Sequence, residues 1–144
     1  MEINGLPLHP LVIHAAVIFG PLAAITALIY LVVPSWRDRM RLPMVVMALI
    51  AGLSIVAAYI TGNNFLDSKP ELKQLAQVQT HEDRAWITLW VTLAFMVVAL
   101  TAGYFHERRG GVRVAVSTLL GVTALATLVM VVLTGDAGAR AVWG

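Results

Sequence analysis

The chain has 144 residues, of which 59% are hydrophobic and only 12% charged, where a soluble domain carries about a quarter charged residues. Its isoelectric point is near 9.4, but the net charge is only +2 and the bases sit at the ends of apolar runs, so nucleic acid is not expected as a partner. There is no cysteine, which excludes disulfides, thiolate metal sites, iron–sulfur clusters and haem attached through Cys-x-x-Cys-His.

The apolar residues form four long runs, Leu11–Val33, Leu42–Ile60, Ala85–Phe105 and Val114–Leu133. Each approaches or exceeds the roughly 20 residues that cross a bilayer as helix. The expected fold is all-α: one domain over residues 1–144, a transmembrane four-helix bundle in the lipid bilayer. Helices are expected at about residues 10–33, 42–61, 81–106 and 113–134.

After a short lead, Pro10 suits the first turn of helix 1, where its missing N–H costs nothing. Pro21 leaves the Val17 carbonyl without its donor and predicts a kink. No basic segment precedes the first run, so the first helix is expected to be retained rather than cleaved. Pro34–Arg41 reads as a basic turn, with Pro43 restarting the chain as helix 2. The longest polar stretch, residues 63–84, reads as an external loop. In it Ser68-Lys69-Pro70-Glu71 predicts a capped amphipathic helix, and Thr80-His81-Glu82-Asp83 a second cap. His106–Arg113 is another basic turn, and Thr134–Gly144 a Gly-rich tail.

The two short turns hold Arg37, Arg39, Arg41, Arg108, Arg109 and Arg113 against Asp38 and Glu107. Positive-inside logic places these turns in the cytoplasm and both termini outside. Tyr30, Trp36, Trp86, Trp90 and Tyr104 read as interfacial aromatics. Each helix carries a small-x-x-x-small pair: Ala16/Gly20, Ala48/Gly52, Ala99/Gly103 and Ser117/Gly121. Such pairs let backbones approach closely in lipid. The halves also look alike. Helix 1 opens with His14 and helix 2 closes on Thr61-Gly62-Asn63; helix 3 opens with His81 and helix 4 closes on Thr134-Gly135-Asp136. Two repeated hairpins are one reading of this.

Of the four histidines, His9, His14 and His81 share the outer end. His106, among Glu107, Arg108 and Arg109, reads as a solvated turn residue. His14 lies inside an apolar segment, where a polar ring needs a partner and such residues usually face the bundle interior. His9 stands five residues earlier, roughly 7.5 Å along an ideal helix, too far round to share an ion with His14. His14 and His81 from different helices therefore suit the two axial positions of haem b. Arg84, one turn after His81, is placed to pair with a propionate, with Arg140 a weaker candidate. His9 and Asp136 are secondary ligand candidates. With Glu82 or Asp136 the same histidines would alternatively suit zinc or copper. A third reading is a cofactor-free assembly subunit whose small-residue faces serve partners, including a second copy of the chain.

The lead Gly5-Leu6-Pro7-Leu8-His9-Pro10-Leu11-Val12-Ile13-His14 and the closing Thr134–Gly144 resemble a family of bacterial membrane proteins, domain of unknown function 2231. The His-Pro-x-x-Val/Ile-His core is the specific part. The resemblance covers essentially the whole chain. It implies a four-helix membrane domain, found in some relatives beside a Rieske-type iron–sulfur domain, and hence redox work with such a partner. Some relatives carry His in the closing Thr-Gly-x motif, where this chain has Asp136. The expected function is thus a membrane haem b protein, an electron carrier or redox-complex subunit rather than a stand-alone enzyme.

Overall fold

The computed structural model describes residues 2–3 and 6–144, with the backbone alone described for residues 2, 3, 6 and 7. Glu2–Ile3 and Leu6–Pro7 form a two-residue antiparallel pair. Four long helices follow: α1, Leu8–Val32; α2, Arg37–Asp67; α3, Ala76–Tyr104; and α4, Gly111–Trp143. All four are long and apolar enough to cross a membrane, and they form an all-α bundle.

The core explains how the helices come so close. Its buried residues are mostly alanine, including Ala23, Ala24, Ala27, Ala48, Ala51, Ala99 and Ala124, filled in by Tyr30, Met44, Phe95 and Leu120. The large aliphatic side chains point outward, as with Leu53 at 68% and Val132 at 61% exposure. That inversion of the soluble pattern is stable where the surroundings are lipid. Three of the four small-residue pairs are buried in the bundle; Ser117 and Gly121 are half-buried.

The helices outlast their apolar runs. α2 continues through Thr61-Gly62-Asn63-Asn64 to Asp67, and α4 turns the expected tail into helix as far as Trp143. A membrane edge ends hydrophobicity, not backbone hydrogen bonding, so the expected loop over 63–84 shrinks to residues 68–75. Neither expected cap forms. The Ser68 hydroxyl donates to the Phe65 carbonyl and that of Thr80 to the Ala76 carbonyl, the local bonding that competes with capping. Pro70–Gln74 is a 3₁₀ turn, and extended Leu75 precedes α3. Lys73 donates to Asp67 at 2.7 Å across this turn, and the bond holds its ammonium pKa above the ordinary lysine value. α1 is continuous through Pro21, and Pro43 lies inside α2 rather than at its start. Tyr30 is buried, not interfacial.

The two hairpins repeat. Buried Ala16, Gly20, Ala23, Ala27 and Tyr30 of α1 reappear 72 residues later as buried Thr88, Thr92, Phe95, Ala99 and Ala102 of α3. Buried Met44, Ala48, Ala51, Ala58 and Thr61 of α2 reappear 76 residues later as Leu120, Ala124, Thr127, Thr134 and Ala137 of α4. In this register His81 is the counterpart of His9, and Trp86 that of His14. The pairing of His14 with His81 read from the sequence is therefore out of register.

Candidate functional site

Two histidines occupy equivalent niches at the end of the bundle where α2 and α4 terminate. His9 sits in the first turn of α1 and leans over α2. Its Nδ1 lies 3.1 Å from the Ala58 carbonyl oxygen and 3.3 Å from Thr61 Oγ1, and its ring stacks towards Phe65. Gly62, one turn after Ala58, makes room: a Cβ there would stand 3.0 Å from His9 Cε1. His81 repeats this on α4. Its Nδ1 lies 3.1 Å from the Thr134 carbonyl oxygen, and a Cβ at Gly138, again one turn on, would stand 3.0 Å from His81 Cε1. A carbonyl only accepts, so Nδ1–H donates in both rings. Each neutral imidazole then carries its lone pair on Nε2. Among the described residues neither Nε2 has a hydrogen-bond partner.

His14 does not join them. Its side chain is exposed on α1 rather than turned inward, and its Nδ1–H donates to the Pro10 carbonyl of its own helix at 2.6 Å. That local bond satisfies the ring without a second helix. Arg84 stands beside the His81 niche, with Nη1 donating to the Leu133 carbonyl at 2.9 Å and lying 3.9 Å from Asp136. Arg140 reaches both Asp136 oxygens, at 3.0 and 3.2 Å. The Asp136 carboxylate is thus engaged by two guanidiniums. No group of three His, Asp or Glu side chains converges in a metal-binding arrangement among the described residues.

A family model described as "Predicted membrane protein (DUF2231)" matches residues 5–144. The chain belongs to the DUF2231 family. No curated protein and no solved structure matches it. The matched span of this DUF2231 protein includes both histidine niches and both short turns.

At the short-turn end the DUF2231 chain holds a network that its local sequence conceals. His106 is not solvated; its side chain is 8% exposed. Its Nε2–H donates to Asp38 at 2.9 Å, and its Nδ1 meets the Tyr30 hydroxyl at 3.0 Å. Arg37 donates to that hydroxyl at 2.8 Å and lies over the Tyr30 ring. Arg41 donates to the Gly103 carbonyl at 3.0 Å. The residues that bury His106 come from α1 and α2, far away in the chain. The only local signal is a histidine opening a turn rich in arginine.

Proposed function

We propose that this membrane protein binds haem b, which His9 and His81 would hold, and carries single electrons at its non-cytoplasmic face. The observation that carries the reading is the matched pair of niches: two imidazoles at equivalent positions, each with Nδ1–H tied to a carbonyl and Nε2 left as the donor. Such second-partner bonding fixes the tautomer that ligates iron. The exposed place of His14 favours His9 as partner to His81, in place of the pair the sequence suggested. Haem, when bound, supplies reversible one-electron exchange at the iron. The chain supplies the two imidazoles, glycine-lined room for their rings, and Arg84 and Arg140 nearby as cations for propionates, provided they release Asp136. Zinc or copper is supported less well, because such sites take three or four donors and Asp136 already serves two arginines. A one-electron donor or acceptor of the Rieske type is the fitting partner class.

The test is a visible spectrum of the detergent-purified protein from haem-replete cells, oxidised and then dithionite-reduced. A Soret band with resolved α and β bands on reduction is expected, lost in His9→Ala and in His81→Ala and kept in His14→Ala. Haem kept in His9→Ala but lost in His14→Ala would restore the His14 pairing. A flat spectrum would overturn the haem reading. Stoichiometric zinc or copper would then favour a metal site, and a metal-free complex with a partner an assembly role.

A further inference from the structure

The opposite end of the bundle carries a cavity of about 400 Å³ walled by Arg37, Arg41, Arg108, Arg109 and Arg113. Among the described residues Asp38 and Glu107 are the only carboxylates on its wall, and Asp38 is already bonded to His106. Topology alone asks for bases near a membrane face; it does not ask that they surround one space. Burial sharpens the point. Arg37 spends Nη2 on Tyr30, yet its Nε is buried without a hydrogen-bond partner. The protein thus leaves part of the Arg37 guanidinium, which stands on the wall of this space, without a partner among the described residues.

The repeat shows what distinguishes this end of the bundle. Four residues, Val33–Trp36, join α1 to α2, whereas the corresponding stretch from Phe105 to Val112 has four more. The longer turn contributes His106, Arg108 and Arg109. The cavity therefore belongs to one side of an otherwise repeated fold. Trp36, Leu42 and Val114, each next in the chain to a residue of its wall, are exposed.

We propose that this cavity binds a phosphate-bearing anion, held by bidentate guanidinium–phosphate hydrogen bonds of the kind arginine forms best. The phosphate can come from an anionic lipid headgroup, which basic pockets between membrane helices recognise, or from a soluble phosphate compound. Arg109 and Arg113 make no hydrogen bond to another side chain or to the backbone among the described residues, so they can be changed without disturbing Tyr30 or His106.

The test uses full-length protein in phosphatidylcholine nanodiscs with and without phosphatidylglycerol, titrated with inorganic pyrophosphate, with lipid retention read by native mass spectrometry. Saturable pyrophosphate binding, or selective retention of phosphatidylglycerol, is expected. Whichever is seen should weaken about tenfold or more in Arg109→Gln/Arg113→Gln, which removes two charged donors. Pyrophosphate binding that phosphatidylglycerol does not compete away identifies a soluble ligand. Retention of the lipid without pyrophosphate binding identifies a headgroup site. Absence of both, or binding unchanged in a double variant that keeps wild-type thermal stability, overturns the proposal.

Discussion

Thr88, Thr92, Thr127 and Thr134 are all buried where α3 meets α4 or its neighbours, but their hydroxyls have different fates. Thr88 and Thr134 bond to each other at 2.6 Å. Thr92 and Thr127 have no hydrogen-bond partner among the described residues. Valine fills the same space without a hydroxyl. Thr127→Val should therefore be neutral or up to about 1 kcal/mol stabilising, while Thr134→Val, which removes the threonine pair but leaves Thr88 donating to the Arg84 carbonyl at 2.8 Å, should cost about 0.5–1 kcal/mol; denaturation in mixed detergent micelles separates the two. The histidines show what sequence can reveal at this scale. His81 was singled out because it stands beside charged residues at the edge of an apolar run, while its packing on α4 came only from the fold. The niche of His9 was not, because Ala58 and Gly62 come from α2 and only packing brings them near. His14 was expected to face the bundle interior and is exposed instead, because an apolar neighbourhood in sequence describes both a bundle interior and an outward-facing surface.

Helix contacts sort the glycines. A methyl at Gly103 would come within 2.6 Å of Val45 Cγ2, while at Gly135 it would meet no atom within 4 Å. Gly103→Ala should thus destabilise by about 1–3 kcal/mol through overpacking. Gly135→Ala should stabilise by about 0.5–1 kcal/mol, as an unconstrained helical glycine allows. The same micelle denaturation checks both. The helices themselves were legible from their apolar runs, but their ends were not. α4, at 33 residues, is about 50 Å long, against a hydrocarbon layer of about 30 Å. Hydropathy marks only the part within that layer. The polar turns beyond it form the niche of His81 through Gly138, so the least legible part of the helix contributes most to the candidate site.

For the whole molecule, the cysteine-free sequence makes orientation measurable. A single introduced thiol is a unique probe. Ser68→Cys should react with an impermeant maleimide on intact cells, and Arg108→Cys only after permeabilisation, if the arginine turns face the cytoplasm as their charge requires. The reverse labelling pattern would put the histidine niches inside. Fold class was fully legible, because composition and run length leave few alternatives for a chain that lives in lipid. The repeat was glimpsed from its polar punctuation but in the wrong register. Its signal lies in which positions are buried, and alanine in one half answers threonine or phenylalanine in the other.

That register also carries a chronology. The histidine niches occur in both hairpins, so they fit an ancestor of a single hairpin that assembled as a symmetric pair. The longer turn occurs in one hairpin only; if it is an insertion, the arginine cavity is the younger feature and dates from after the two copies joined in one chain. Half-length relatives, where they exist, should carry the histidine and its glycine and lack the four added residues; a half-length relative with the long turn would reverse that order.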